Sequence, residues 1–398
     1  MGIRSNAAVR LLAASLMMAA VAGCGGGGGG DAGDGLTPAP PPVSPPPGPP
    51  LLQFGGDPSA SVVLGQGTFQ ESVPDEEGRL DRMDSPAGNP GVTGDGKLIV
   101  ADRGNNRLMV FGDYQGANGQ TATFVLPTTF PSGVALHGQK LVVLDATNSV
   151  SIYNTAPTAS GASTNPDVVG TGVAGCTDRD MRSPRGAYLV APAGPLIIAD
   201  GGNNRVLIWH SIPESGELGP ANVVVGQEFK NTCAANDGND RPSGSTLRDP
   251  TSVWSDGRRL IVADQGNNRV LIWKNLPTTD FQAADFVVGQ PNPSETLILE
   301  PSAMSLACPS SIDVSEAGQL AVADQCNDRI LIWDSIPEAD FQPANQVIGQ
   351  RDFNHKDRRF SGVLGNSLKL PSGVHFHGRN LIVVDAGNNR VLVWKAQE

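Results

Sequence analysis

The stretch Ala263-Asp-Gln-Gly-Asn-Asn-Arg-Val-Leu-Ile-Trp273 returns, nearly unchanged, along the whole of this 398-residue chain. Its close copies are Ala101-Asp-Arg-Gly-Asn-Asn-Arg-Leu-Met-Val-Phe111, Ala199-Asp-Gly-Gly-Asn-Asn-Arg-Val-Leu-Ile-Trp209, Ala323-Asp-Gln-Cys-Asn-Asp-Arg-Ile-Leu-Ile-Trp333 and Val384-Asp-Ala-Gly-Asn-Asn-Arg-Val-Leu-Val-Trp394. A worn sixth copy is Leu144-Asp-Ala-Thr-Asn-Ser-Val-Ser-Ile-Tyr153. Such self-similarity marks a repeat architecture, in which each unit buries its apolar face only against its neighbours.

Each copy follows an apolar run such as Leu260-Ile-Val262 or Leu381-Ile-Val383, and before that a proline-led segment such as Pro131-Ser-Gly-Val134 or Pro371-Ser-Gly-Val374. Short β-branched runs separated by Gly, Asn and Asp predict antiparallel strands joined by tight turns. Strand A starts at the proline, B ends in the Asp, and C runs from the Arg to the aromatic residue. A second recurring element supplies strand D: Val62-Val-Leu-Gly-Gln66, Val168-Val-Gly170, Val223-Val-Val-Gly-Gln227, Val287-Val-Gly-Gln290 and Val347-Ile-Gly-Gln350, with Thr123-Phe-Val-Leu126 as a degenerate member. Four antiparallel strands, six times over, predict an all-β, six-bladed β-propeller across residues 51–398. The chain opens on a lone D strand and ends on A, B and C. The N-terminal strand is therefore expected to complete the last blade and remove its exposed edge.

The Asp-x-Gly-Asn-Asn-Arg turn resembles that of the NHL repeat, and the resemblance runs from about residue 60 to the C-terminus. It implies an NHL-type propeller. Some six-bladed relatives of that family are lyases or hydrolases with a metal at the central channel, including an amidating lyase acting on peptidyl-hydroxyglycine. The His and carboxylate positions on which that lyase depends have no counterpart at matching places here, and fold alone carries no activity across.

Asp102 and Arg107, with Asp200, Arg205, Asp264, Arg269, Asp324, Arg329, Asp385 and Arg390, look like a chemical constellation. A catalytic set is normally one of a kind, whereas this one recurs around the ring, so it is read as structural. Gly and Asn tolerate the positive φ of a tight turn; the Asp is expected to accept turn amides, and the Arg to pair bidentately with a carboxylate. The aromatics at the ends of the C strands are expected to pack between blades. No distinctive catalytic set and no cofactor site stands out.

Function is then expected where the symmetry breaks. The D–A connections and B–C turns share one face, and the D–A connections are long: about 67–85, 171–183, 228–249, 291–308 and 351–370. Acids are frequent there, among them Glu71, Asp75, Glu76, Glu77, Asp81, Asp84, Asp178, Asp180, Asp237 and Asp240. Cys176, Cys233, Cys308 and Cys326 fall on the same face. An even number in an oxidising compartment suggests disulfides. Cys308 with Cys326 is the favoured pairing, followed by Cys176 with Cys233; a thiolate metal site is the rival. His375 and His377 alternate on the last A strand, either as turn residues or as metal ligands near the channel.

Residues 1–23 carry Arg4 and Arg10 and an apolar stretch from Leu11 to Val21, the pattern of a secretory signal too short to span a bilayer. Val21-Ala22-Gly23-Cys24 resembles the lipobox of bacterial lipoproteins, which implies cleavage before Cys24 and lipidation of its sulfur. Residues 24–50, with glycines from Gly25 to Gly30 and prolines up to Pro50, read as a tether. Gly25 rather than Asp after the cysteine implies, by the same resemblance, the outer membrane of a Gram-negative envelope. Net charge is −12 in full, and without Arg4 and Arg10 the mature chain has 26 basic against 40 acidic residues, near −14. That sign argues against nucleic acid, whose affinity comes largely from Lys and Arg. A basic cluster at Arg351, Lys356, Arg358 and Arg359 is interrupted by Asp352 and Asp357. The expectation is a monomeric, lipid-anchored binding or scaffolding module for a protein, peptide or glycan. The alternative is a metal-dependent lyase or hydrolase acting at the channel.

Overall fold

The B strands Leu98–Asp102, Leu196–Asp200, Leu260–Asp264 and Leu320–Asp324, and the C strands Arg107–Phe111, Arg205–Trp209, Arg269–Trp273 and Arg329–Trp333, are buried at every position. Both faces of such strands must therefore be covered, which is why they read as continuous apolar runs rather than alternating ones. In the computed structural model, which describes residues 48–356 and 362–397, the cover comes from neighbouring blades.

Six sheets account for the strands. Blade 1 is Pro86–Val92, Leu98–Asp102, Arg107–Phe111 and Phe124–Pro127; blades 3, 4 and 5 repeat that order from Pro184, Pro250 and Pro309. Blade 2 starts at Pro131 and gains a fifth strand when Gly216–Glu217, from the C–D connection of blade 3, pairs in parallel with Val168–Val169. Blade 6 takes Pro371–His377, Asn380–Asp385 and Arg390–Lys395 from the C-terminus and Val62–Leu64 from the N-terminus, with Val63 opposite Leu392. The chain is a six-bladed β-propeller closed by its first strand, as expected from the unmatched ends.

Six apolar clusters fill the six blade–blade interfaces. The aromatic at the end of each C strand packs into the interface with the preceding blade. Buried Trp209, Trp273, Trp333 and Trp394 donate their indole N–H to the carbonyls of Gly219, Gln282, Gln342 and Pro58, which removes the cost of an unpaired buried donor. The A strands neighbour one another in a closed ring around the channel. Glycine is required there: a β-carbon on Gly373 would sit 2.0 Å from the Gly88 carbonyl oxygen, and one on Gly186 would sit 2.5 Å from that of Thr251.

The proposed signal, Cys24 and the tether up to residue 47 lie outside the described residues, as do Asp357, Arg358 and Arg359. No helix among the described residues is long and apolar enough to cross a membrane.

Candidate functional site: the long-loop face and channel mouth

The repeat turn is a single turn of 3-10 helix ending in a left-handed residue: Asn106, Asn204, Asn268, Asp328 or Asn389, with φ of 52–56°. Its Asp does not behave as the sequence suggests. In five blades one carboxylate oxygen accepts the Arg Nε–H (2.7–2.8 Å) and the side-chain Nδ2–H of the first turn Asn (2.8–2.9 Å) rather than a backbone amide of the turn. The other accepts a backbone N–H from the D–A loop two residues before strand A: Asp84, Arg182, Arg248, Ala307 or Lys369. Only in the worn turn of blade 2, which lacks the Arg, does the carboxylate of Asp145 take turn amides, those of Thr147 and Ser149. Nor is the Arg bidentate on this carboxylate. Arg205 spends its remaining N–H groups on the carbonyls of Cys176, Thr177, Asp180 and Lys230, all in long loops. The set anchors the loops. Burial pushes the carboxyls of Asp102, Asp200, Asp324 and Asp385 upward, opposed by the guanidinium and the amide donors.

The second Asn links blades. The side-chain oxygens of Asn106, Asn148, Asn204, Asn268, Asp328 and Asn389 accept the N–H of Phe130, Ser183, Asp249, Cys308, Leu370 and Ser85, each the residue before strand A of the next blade. All six donor residues have φ between 41° and 52°. The Gln of strand D completes the frame: Gln66, Gln227 and Gln290 donate to the carbonyls of Asn389, Asn204 and Asn268 and to a loop carbonyl seven residues on.

On this frame the D–A loops and B–C turns share one face, as expected. Both cysteine pairs on it are joined, Cys176 to Cys233 across neighbouring loops and Cys308 to Cys326 within blade 5. Several of the acids are engaged rather than free: Asp75 is buried against Arg107 (3.0 Å), Asp81 pairs with Arg79 (2.7 Å) and Glu71 with Arg82 (3.4 Å). Exposed Glu76, Glu77 and Asp240 do not line the cavity at the axis.

At the axis, the channel mouth is a cavity of about 230 Å³ whose lining includes Arg103, Arg185, Gln265 and Gln325 and no carboxylate. Hydroxyls stitch its wall: Ser132, Thr251, Ser310 and Ser372 each donate to the carbonyl of the next blade's leading proline, at 2.6–3.1 Å. Blades 1 and 3 carry Ala87 and Arg185 at that position instead. Arg185 pairs with Asp249 at 3.0 Å and reaches Gln265 at 3.4 Å. These mouth residues were not singled out from the sequence. Arg103 fills the variable position of a repeat, where no pattern flags it.

The opposite mouth, a cavity of about 200 Å³, holds Asn89, Tyr188, Asp313 and His375. His375 Nδ1 lies 3.0 Å from the Asp313 carboxylate, which also accepts the Phe376 N–H. His377 turns to the Tyr114 hydroxyl, 2.5 Å from its Nδ1, and burial beside His375 lowers its pKa. Burial and the charge of Asp313 push the Tyr188 hydroxyl far up. No group of three His, Cys, Asp or Glu side chains among the described residues is placed to hold a metal ion.

No protein-family model matches the sequence, and no curated protein matches it. Among solved structures, the fold is similar to a chain in the crystal structure of a mitotic checkpoint complex, at TM-score 0.44 and 10% identity, covering 78% of this chain and 76% of that one. It is also similar to the WD40 β-propeller domain of Doa1, at TM-score 0.42 and 9% identity, covering 76% of each.

Proposed function

We propose that this chain is an NHL-type propeller, lipidated on Cys24 and held at a bacterial envelope membrane, the outer one, that binds a protein, peptide or glycan through its long-loop face. The observation that carries the reading is the distribution of exposed apolar side chains. Of twelve large ones among the described residues, ten lie in D–A loops, including Val73, Phe130, Val173, Phe229 and Ile298. Ile298 is 90% and Phe229 59% exposed. Apolar side chains gathered on one face and interspersed with charge mark an interaction surface, where scattered ones would need no explanation.

The path of the N-terminal segment supports the same face. Leu52 exchanges hydrogen bonds with Gln319 in the A–B turn of blade 5, and Phe54 N–H donates to Gln346, with both apolar side chains buried. Leu52 and Phe54 thus pack on the side away from the long loops.

A photo-crosslinking residue placed at Ile298 or Phe229 of the full chain, in detergent-solubilised envelope, should capture a discrete partner. One placed at Arg379, in an A–B turn, should not. Capture from the Arg379 position alone would sink the reading. Metabolic labelling with a radioactive fatty acid should mark the native chain and not Cys24→Ser; equal labelling of both removes the anchor.

A further inference from the structure

Within the acid-rich long-loop face, a group of cations runs opposite to the charge of the whole chain. Arg103, Arg182, Arg248 and Lys369 are exposed, and none has an ion-pair partner among the described residues. Their sequence positions are not equivalent. Arg103 follows the repeat Asp of blade 1, whereas Arg182, Arg248 and Lys369 stand two residues before strands A of blades 3, 4 and 6. Arg103 lines the opening, and the other three lie against B–C turns of the same face. The repeat Asp fixes each backbone N–H of the latter three, and each stem then crosses the turn glycine, where a β-carbon would lie 2.6–2.9 Å from its Cγ. Arg103 and Arg185 are in the lining; against these five cations stand two carboxylates, Asp84, which crosses Gly104 in blade 1, and Asp249, which pairs with Arg185, so the surroundings of the mouth carry a net positive charge in a chain carrying −12.

We infer that this mouth binds carboxylates of a short acidic, apolar-flanked peptide segment of a partner, an assignment that rests on the long-loop reading above. Three observations select that occupant. The unpaired guanidinium of Arg103 in a cavity lined by Gln, with Arg182, Arg248 and Lys369 on the B–C turns of the same face, complements carboxylate groups. Exposed Phe130 and Leu370 stand at the same ring of positions, just before strands A, and offer apolar contacts beside the charges. All five Trp are buried and none of the three Tyr is exposed, so the exposed aromatics of this face are Phe130 and Phe229, which carry no polar group of their own and suit apolar side chains of a peptide. The acidic surround also limits length: it repels a long polyanion but tolerates a few carboxylates at the centre.

The test is selection of a displayed random dodecapeptide library on the full chain in non-ionic detergent micelles, followed by anisotropy titration of labelled winners. Winners should be enriched in Asp and Glu next to apolar residues and should weaken with added salt. They should bind the R103Q/R182Q/R248Q/K369Q variant about tenfold or more weakly, since several exposed charge pairs are lost together. Arg103→Gln alone serves as a second variant, because Gln265 and Gln325 occupy that position in blades 4 and 5. Winners without acid enrichment, or with affinities that neither variant changes, overturn the inference. So does a uronic-acid oligosaccharide that binds the mouth in preference to every winner. An empty selection also overturns it, and the crosslinks at Ile298 and Phe229 then report separately whether the long-loop reading survives.

Discussion

A left-handed Asn beside a buried Asp is the smallest unit that explains this molecule. The second turn Asn is held at positive φ by the turn, and its side-chain oxygen holds the next blade's leading residue at positive φ in turn. Two costs are separable at Asn268. An alanine held in the left-handed region is unfavourable by about 1–2 kcal/mol, and losing the bond to the Cys308 N–H adds about 1 kcal/mol. Asn268→Ala should therefore lower stability by roughly 2–3 kcal/mol, while Asn268→Gly loses only the bond, about 1 kcal/mol. Asn268→Asp should be nearly neutral, because Asp328 already accepts the Leu370 N–H in blade 5. Chemical denaturation of the three variants checks the order; equal losses for the alanine and aspartate variants would refute the acceptor role. His377 gives a pH signature of the opposite kind to a stabilised cation. Burial lowers its pKa below the ordinary value, so the unfolded chain takes up the proton first as pH falls. Its contribution is complete above about pH 6.5 and declines below it. Thermal melts at about pH 7.5 and 5 should show a smaller acid loss for His377→Gln than for the native chain; an unchanged loss sinks the assignment.

Elements show how one blade is altered without breaking the frame. In blades 1, 3, 4 and 6 the third turn position is Gly104, Gly202, Gly266 or Gly387, and a loop side chain crosses it too closely to admit a β-carbon. Blade 5 carries Cys326 there, opposite the short side chain of Ala307, and the freed space is taken by the bond to Cys308. Chain-entropy reasoning ranks the two disulfides by loop length, 57 residues for Cys176–Cys233 and 18 for Cys308–Cys326. Removing the first by a double Ser substitution should cost about 4 kcal/mol and the second about 3 kcal/mol, read as denaturation midpoints under non-reducing conditions. The reverse order would show that loop closure is not what they contribute. The strands were legible from the sequence because an apolar run recurs in all six blades, with the same Asp and Arg at the ends of strands B and C in five of them. The loop partners of the turn Asp were not, since the N–H groups it accepts belong to residues as different as Asp84, Arg182 and Ala307. A backbone donor leaves no side-chain signature.

For the whole molecule, symmetry carries the fold and departures from it carry the proposed site. Arg103, Arg182, Arg248 and Lys369 could not be read as a set from the sequence, because two different repeat positions supply them and only closure of the ring brings them to one face. Closure in turn depends on the first described residues, in steps that truncation can separate. Deleting residues 1–50 removes nothing buried among the described residues and should leave the melting temperature unchanged. Deleting 1–58 also removes Leu52 and Phe54, 6% and 2% exposed, and the clamp onto Gln319 and Gln346. Two buried apolar side chains at about 1.5–3 kcal/mol each set the expected loss at roughly 3–6 kcal/mol. Deleting 1–66 takes Val62–Leu64 as well, strips the outer partner from Arg390–Lys395 and opens a strand edge on blade 6. That edge can pair only with another chain, so the third truncation should be aggregated or oligomeric by light scattering while the second remains monomeric. A monomeric, cooperatively melting chain from residue 67 onward would show that the first strand does not close the ring.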